Sequence, residues 1–515
     1  MKIVFQGQFL QEGLQKLGHE IHAIELLNSP DVNEQIRAVC ARPDLVIIEL
    51  FGRHELPLNF YDCRWKTVAY CVDSSINEYY LSEWLHLFDW AFVDQKSSVK
   101  SLQAYGVNAT WLPLCVSEKF FREQRLKRHD ISFVGRIDDY RKKRANLLKF
   151  LRSHYQINVV SGVPVETMQD IFAESRIVLN ENLFSGLTLR VLQGMAAGSL
   201  VLTESGGDGV ENYFQDGRHL VCFEPDSLLA IISDILENFE KYNAVALRGQ
   251  QECLARHTSR ARAQELLAAI ERRPAGSKCL NSRKFYLANG LYNLRRRFGG
   301  DYSPSVRLFH ELLPEQDASS ARAAFILGNI HARKGRQDKA VNFYLAAIAK
   351  GFDVFPHLKL AMLFLQSNDT AGAVNMLKAA LASVPFPFRK LPAHFESGGE
   401  QNDLTAAILL RISKVYYVRN MVFQVGFLQQ RADYFPDTAL EIARLAWLRR
   451  PSASILAFML LCAKKCNISG ELLPFLLQGA REGFAAQGQI RKARGLAGIY
   501  YDQAAQEELA GYLTG

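Results

Sequence analysis

The sequence predicts an α/β half followed by an all-α half. Three observations carry that reading. Short apolar runs alternate with helical patterns through the first 272 residues. The alternation restarts once, after a basic, polar stretch from Arg122 to Asp130. From about Ser303 onward the strand pattern gives way to helical periodicity rich in Ala and Leu. A βαβ rhythm implies a parallel sheet covered on both faces. A restart implies two such sheets in series, each Rossmann-like. The expected domains are 1–122, 123–272, a linker at 273–303, and a helical-repeat solenoid at 304–515.

In the first domain the strand candidates are Ile3–Gln6, Ile21–Leu26, Leu45–Leu50, Thr67–Cys71, Trp90–Val93 and Thr110–Leu114. Helical stretches separate most of them: Leu10–Leu17, Val32–Cys40, Leu81–Phe88 and Ser97–Tyr105. In the second, strands are expected at Ile131–Val134, Ile157–Val160, Ile177–Leu179, Leu200–Leu202 and Leu220–Phe223. The helices between and after them are Lys143–His154, Pro164–Ala173, Leu187–Ala197, Leu228–Phe239 and Ser259–Arg272.

The helical half contains an internal repeat. Leu327, Gly328, Ala340, Tyr344 and Ala347 have counterparts 33 residues on, at Leu360, Ala361, Ala373, Leu377 and Ala380. Pro385 follows where a repeat should end. The spacing resembles the tetratricopeptide pattern, in which small residues let two antiparallel helices pack closely. Segments 404–418, 436–449, 453–465 and 471–484 are helical without a clear register, and 386–403 is a long polar loop.

Composition narrows the function classes. The chain has 515 residues, 48% hydrophobic and 22% charged, as soluble multidomain proteins do. The net charge of +8 suits an anionic substrate and equally suits simple solubility. Nucleic-acid binding would need a clustered basic face, and the best cluster is only Arg295 to Arg297. The opening residues MKIVFQG read as a strand, and no run approaches the ~18 apolar residues of a membrane span. A cytoplasmic location is the expectation. The nine cysteines are scattered through apolar segments. Cys71, Cys115 and Cys222 sit in strand-like runs, and Cys462 and Cys466 lie one helical turn apart, without a matching His or Cys pair in the sequence. Buried thiols are expected rather than disulfides or zinc.

The dinucleotide fingerprint G-x-G-x-x-G fails after the first strand, where Gly7 stands alone, and fails again at residues 135–141. A phosphate loop of the G-x-x-x-x-G-K-[ST] type is absent, as is an Asp-x-Asp pair for a nucleotide-bound cation. Phosphates would have to be met by helix ends, glycine-loop N–H groups and cationic side chains. The second domain supplies these at the carboxyl ends of its strands. Gly135 and Arg136 follow its first strand, and Arg141 to Arg144 open its first helix. Gly162 follows the second strand. Asn180, Glu181, Asn182 and Gly186 follow the third, and Gly206, Gly207 and Asp208 the fourth. Arg190 and Gln193 lie near the start of the helix after Gly186, one turn apart. Lys142 and Lys143 read as a solvated face.

The segments FVGRIDDYRKKRANLL, SRIVLN, GLTLRVLQGMAAGSLVLTE and GVENYFQDG, with His257 and Thr258, resemble the glycosyltransferases related to spore maturation protein CgeB. YCVDSSINEYY and WLPLCV are similar to their first-domain cores. The resemblance covers about residues 1–270. It implies the GT-B architecture of two Rossmann-like domains. It also implies a nucleotide-sugar donor, such as a UDP-sugar, held mainly by the second domain without a required metal or other cofactor. An acceptor hydroxyl or amine would enter from the first domain. Such enzymes usually carry Glu at the position of Gln193, where it accepts from the ribose. An amide can still bond a diol, without charge. Many carry an acid at the position of Ser185; Glu181 or Glu211 are the alternatives for that role.

Glycosyl transfer requires stabilisation of the leaving diphosphate. Arg136, Arg190 and the helix N-terminus near Gly186 and Thr188 are the candidates. The candidate base is Asp73, at the end of an apolar first-domain strand, where a turn-capping role is the ordinary alternative. His86 reads as a surface or core histidine. A hexosyl- or N-acetylhexosaminyltransferase is the expected class. The helical half suggests a protein partner or acceptor. The competing expectations are a non-catalytic scaffold with a decayed fold and a GT-B sugar-nucleotide epimerase.

Overall fold

The computed structural model describes residues 1–29, 31–52, 54–123, 125–138, 141–182, 186–272, 280–382, 401–419, 436, 438–465 and 472–514. Ser185, Cys279, Pro385, Cys466 and residues 386–400 therefore lie outside the described residues. The chain divides into two compact units. The first comprises Met1–Asn77, Phe88–Ser277 and Ala497–Ala504. The second comprises Glu78–Leu87, Lys278–Leu496 and Ala505–Gly515.

The first unit holds two parallel sheets. Strands β1 (Lys2–Gln6), β2 (Glu20–Ala23), β3 (Leu45–Phe51), β4 (Thr67–Val72), β5 (Trp90–Val93) and β6 (Ala109–Trp111) form a sheet ordered β2-β1-β3-β4-β5-β6. Strands β7 (His129–Val134), β8 (Ile157–Val160), β9 (Ser175–Asn180), β10 (Leu200–Glu204) and β11 (Val221–Phe223) form a sheet ordered β11-β10-β9-β7-β8. Every pairing is parallel. The sheets therefore repeat one winding, two Rossmann-like domains in series as in the GT-B architecture. In each, the strand order reverses direction next to the first strand, between β1 and β3 and between β7 and β9. A crevice opens outside the carboxyl ends of the strands at such a reversal.

Helices α1 (Gln11–Lys16), α2 (Val32–Val39), α3 (Ser74–Trp84) and α4 (Lys96–Gln103) join the first set of strands. Helices α5 (Lys142–Arg152), α6 (Val165–Ala173) and α7 (Leu189–Ala196) join the second. Then come α8 (Leu228–Glu237), α9 (Phe239–Arg256) and α10 (Ser259–Glu271). Several boundaries differ from expectation; the strand expected at Ile21–Leu26 is Glu20–Ala23. The expected helix at 81–88 begins earlier, at Ser74, and ends in a 3₁₀ turn at Leu85–Leu87. The last strand stops at Trp111 instead of Leu114, two residues before Pro113, which has no N–H to donate to a ladder. The helix expected at 228–239 ends at Glu237, and Asn238 (φ −115°, ψ 37°) breaks the chain before α9, an 18-residue helix that periodicity did not separate.

The apolar cores do not follow the two sheets one to one. One cluster joins Ile3, Phe5, Ile47, Tyr70 and Phe92 of the first sheet to Val191 and Met195 of α7 and to Ala263 and Leu266 of α10. A second holds Ile131, Phe133, Leu147, Ile177, Leu202 and Ile232. Thus α10 returns to pack beside α1, and a Cβ on Gly13 would lie 2.1 Å from the Ser259 carbonyl oxygen. The wholly buried Arg262 fastens this return. Its Nε donates to the carbonyls of Pro113 and Leu114 (3.0 and 3.4 Å), and its Nη1 pairs with Glu265. His257, also wholly buried, contacts Arg262 through Nδ1 at 2.6 Å, and burial beside that guanidinium pushes its pKa down to about 3.

The second unit is helical. The stretch expected as a linker contains α11 (Leu280–Phe298), whose Phe285, Leu287, Ala288 and Leu291 are buried. Next come α12 (Ser303–Leu312), then the hairpins α13 (Ala318–Arg333) with α14 (Gln337–Ala349) and α15 (Val354–Gln366) with α16 (Thr370–Ala382). The repeat of 33 residues is this hairpin. A Cβ on Gly328 would meet the Tyr344 ring at 2.5 Å, so the glycine admits the ring. In the next hairpin the pair is Ala361 and Leu377, both wholly buried. Further helices are α17 (Gln401–Val418), α18 (Ala439–Arg449), α19 (Ala453–Lys465), α20 (Leu473–Arg481), α21 (Gln487–Ile499) and α22 (Gln503–Thr514). Among the described residues, no helix is long and apolar enough to cross a membrane. Among the described cysteines, Cys40, Cys63, Cys71, Cys115, Cys253 and Cys462 are buried and Cys222 is half-buried.

Gly13→Ala tests the return of α10. The added methyl meets backbone, which cannot rotate away, so we expect a loss of about 1–3 kcal/mol of stability in urea unfolding. A midpoint equal to that of the wild type would refute the close approach.

Candidate active site

A cleft of about 290 Å³ lies at the carboxyl ends of the strands within the first unit. One wall comes from the second sheet: Val134, Arg141, Arg144, Gly186, Leu187, Thr188, Arg190 and Gln193. The other comes from the first: Phe9, Phe51, Val72, Asp73, Ile76, Gln95 and Leu114. The structure thus brings together six sequence-predicted residues, namely Asp73, Arg144, Gly186, Thr188, Arg190 and Gln193.

Arg190 spans the reversal between β7 and β9. Its Nε donates to the Val134 carbonyl at 3.1 Å and its Nη1 to Asn180 Oδ1 at 3.0 Å. The guanidinium carbon lies 4.2 Å from the centroid of the Phe133 ring. Both acceptors are neutral, and burial together with the nearby Arg144 cation lowers the Arg190 pKa to about 9. The group is still protonated near neutrality and, among the described residues, has no bonded carboxylate. A Cβ on Gly135 would sit 2.5 Å from its Nη2, so this glycine makes room for the side chain.

Arg144 is committed differently. It is 5% exposed, and its Nε pairs with Glu181 at 3.0 Å while its Nη1 donates to the Arg136 carbonyl at 2.9 Å. Lys143, expected on a solvated face, instead forms a tight ion pair with Glu204 at the end of β10. Lys142 is exposed, as is the side chain of Arg136. The two alternatives for the missing acid are both engaged: Glu181 with Arg144, and Glu211 with Lys96 at 3.9 Å on the surface.

The remaining predicted residues lie outside the cleft lining. Asn180 is wholly buried under Arg190, accepting also from Thr188 Oγ1 at 2.7 Å and donating to Thr203 at 2.9 Å. It supports the cation. Gly162 is exposed with φ 72° and open space around it. Gly207 is buried, where a Cβ would press on Val210 at 2.8 Å. Asp208 Oδ2 accepts from the Ser97 N–H at 2.6 Å and so holds the first turn of α4. Thr188 is the N-cap of α7 yet makes no capping bond, since its hydroxyl is turned to Asn180. The Val191 N–H donates to the Thr188 carbonyl at 3.2 Å, and among the described residues the N–H groups of Leu189 and Arg190 have no acceptor.

Asp73 occupies the opposite wall with φ 56°, left-handed backbone that costs a non-glycine residue energy and concentrates at functional sites. Burial, and next the Asp94 carboxylate, raise its pKa to about 6; Arg141 opposes them. His86 has no place here: its ring stacks on Tyr286 at 4.1 Å.

Sequence reasoning missed several contributors. Glu49, 4% exposed and two residues before the end of β3, accepts from the N–H groups of Phe9 and Leu10 (both 2.9 Å) and of Gln8. It fixes the turn that presents Phe9 to the cleft, and Phe9 meets Phe51 edge to face at 6.5 Å. Asp94 accepts from the N–H groups of Asp73 and Ser74, both at 2.9 Å. Gln95 clasps Leu187, its Oε1 accepting from the N–H at 3.0 Å and its Nε2 donating to the carbonyl at 3.2 Å. A Cβ on Gly186 would lie 2.8 Å from that Oε1. The signal available was positional: Glu49, Asp94 and Gln95 all stand at or near strand ends on the crevice edge. Among the described residues no three His, Cys, Asp or Glu gather as a metal site.

Residues 118–268 match a family described as glycosyl transferase-like. No curated protein matches the chain. Among solved structures, Anabaena HepE in complex with UDP-glucose is 11% identical, covering 53% of this chain and 100% of its own, with a TM-score of 0.39. Sucrose-phosphate synthase from Thermosynechococcus elongatus is 11% identical over 53% of this chain and 98% of its own, with a TM-score of 0.40. A glycosyltransferase from Rickettsia africae is 11% identical over 52% and 89%, with a TM-score of 0.36. The chain carries a glycosyltransferase-like domain in the second of its two Rossmann-like halves.

Gln95→Leu should lower stability by about 1–3 kcal/mol, because it orphans the N–H and carbonyl of Leu187. Gly135→Ala should displace Arg190 with a stability change under about 1 kcal/mol, since a flexible side chain yields where backbone would not. Thermal unfolding of both variants checks the pair. A Gln95→Leu chain as stable as wild type would remove the clasp.

Proposed function

We propose that this chain transfers a hexosyl or N-acetylhexosaminyl group from a nucleotide sugar, such as a UDP-sugar, to an acceptor hydroxyl or amine, without a metal. The observation that carries the reading is Arg190. It is a desolvated, protonated guanidinium on neutral acceptors, beside the uncapped start of α7 and across a cleft from Asp73. The glycosyl transferase-like match and the resemblance to the CgeB-related enzymes support the same class.

In this reading the diphosphate lies against Arg190 and the first N–H groups of α7. Gln193, one turn along the helix, offers its amide oxygen to the ribose. The bond between the anomeric carbon and the diphosphate oxygen breaks as the acceptor oxygen bonds that carbon. The acceptor proton passes to Asp73. Negative charge grows on the leaving diphosphate, and the preorganised cation and helix dipole meet it. Phe9, Phe51, Val72, Ile76 and Leu114 exclude water from the acceptor side. The helical-hairpin half recruits the acceptor, a protein, as a tetratricopeptide-like surface would. Intact mass of co-expressed partner proteins tests that part through a hexose or N-acetylhexosamine increment.

A panel of nucleotide sugars tests the class. Thermal stabilisation by at least one is expected; stabilisation by none at millimolar concentration would sink the enzyme reading in favour of a scaffold. Formation of a new sugar nucleotide without an acceptor would mark an epimerase instead. Arg190→Ala should cost about 100-fold or more in kcat. Asp73→Asn should cost about 100- to 10,000-fold in kcat with donor affinity kept. The base acts when ionised and its pKa is about 6, so the rate should climb as pH rises through 6 and level off above 7. A rate independent of pH between 5 and 7.5 would remove Asp73 from the role.

A further inference from the structure

We propose that Asp94 and Gln95 are positioning residues that set Asp73 and the donor-side loop in one frame, Asp94 also controlling the charge of Asp73. This rests on the reading of Asp73 as the base. The two residues directly follow β5 and are both buried, at 1% and 4% exposure.

The Asp94 carboxylate accepts four hydrogen bonds. Oδ2 takes the Asp73 N–H at 2.9 Å and Gln95 Nε2 at 3.0 Å; Oδ1 takes the Ser74 N–H at 2.9 Å and Ser74 Oγ at 2.6 Å. It thereby caps α3 from the neighbouring strand and pins the backbone that holds Asp73 at φ 56°. Gln95 Nε2 extends the line to the Leu187 carbonyl, while its Oε1 takes the Leu187 N–H. Leu187 is next to Thr188 and three residues from Arg190. Two consecutive side chains thus connect the acid on one wall to the loop that leads to the cation on the other.

This arrangement has an electrostatic consequence that a purely structural cap would lack. Burial raises the Asp94 pKa and its hydrogen bonds draw it back down; in its ionised form Asp94, at the backbone of Asp73, opposes ionisation of Asp73. The other charged group acting on Asp73 is Arg141, which favours ionisation, and Arg144 and Arg190 line the facing wall. Around Asp94 itself lie the titratable Cys71 and Tyr70, both pushed well above their ordinary values, mainly by burial, and so neutral.

A four-chain cycle tests the coupling: wild type, Asp73→Asn, Asp94→Asn and the double variant, with Tm measured from pH 4 to 8. A folded-state pKa raised above the unfolded value means that ionised Asp73 costs stability above pH 6, and that the cost vanishes below about pH 4. Asp73→Asn should therefore raise Tm by a few degrees at pH 8 relative to its effect at pH 4. The tolerance of Asn for positive φ is independent of pH and drops out. In the Asp94→Asn background that pH-dependent gain should shrink without vanishing, because burial remains the larger cause of the raised pKa. An equal gain in both backgrounds overturns the proposal. Should Asp94→Asn fail to fold, Ser74→Ala serves instead: it removes a hydrogen bond that holds the Asp94 carboxylate ionised, so Asp94 protonates more readily and the gain should shrink, whereas an unchanged gain overturns the proposal. The cycle is independent of turnover. Failure of the base reading shows separately, as full transfer activity in Asp73→Asn.

Discussion

A guanidinium that bonds neutral acceptors among the described residues sits where the strand order of the second sheet reverses, and much of the site is arranged around it. Removing Arg190 from water is costly, and a second arginine beside it adds repulsion. The fold offsets this with neutral partners only: the Val134 carbonyl, Asn180 and the face of Phe133. Gly135 must lack a side chain for the group to lie there, and Asn180 must turn its oxygen upward, so Thr188 and Thr203 anchor that amide. Glu181 is within electrostatic reach yet gives its hydrogen bond to Arg144. The charge on Arg190 is thus left for a ligand.

The two sheets share a winding and differ in what fills the helix starts at their edge. In the first, carboxylates of the chain itself do so. Glu49 takes three N–H groups ahead of α1, and Asp94 takes those at the start of α3. Even α4 is held by an acid, Asp208. In the second, α7 begins at Thr188 with no side-chain cap. A helix start already occupied by a carboxylate repels a phosphate, and one left open attracts it. In the proposed function this asymmetry gives the anionic ligand to the second half, while the described lining from the first half is largely apolar and includes Asp73.

The strands were legible because buried parallel strands are continuous apolar runs, and such runs in β1, β3, β4, β9 and β10 have few alternatives. The hairpin repeat was legible because Gly328 and Ala361 must be small. What escaped was decided by partners distant in sequence. The start of α3 depends on Asp94, 20 residues further along the chain, and nothing near Ser74 announces it. The Lys143 ammonium looked solvated until Glu204, 61 residues away, came beside it. Asn180 ends β9 and Arg144 lies in the first turn of α5. Their burial, which makes them supports for Arg190 and for the Arg136 loop, depends on the packed sheet edge.

Gln193 follows from the same charge balance. A carboxylate one turn after Arg190 would face the same cleft and compete with the diphosphate for that cation. It would also accept charge-assisted hydrogen bonds from the ribose, about twice as strong as neutral ones. An amide gives up that strength at the ribose and leaves the whole Arg190 charge for the diphosphate. Because that charge acts where the leaving group becomes more negative, the exchange weakens ground-state binding more than it weakens stabilisation of the transition state. A donor held loosely at its ribose and firmly at its diphosphate remains compatible with turnover, so the substitution alone does not argue for a decayed site.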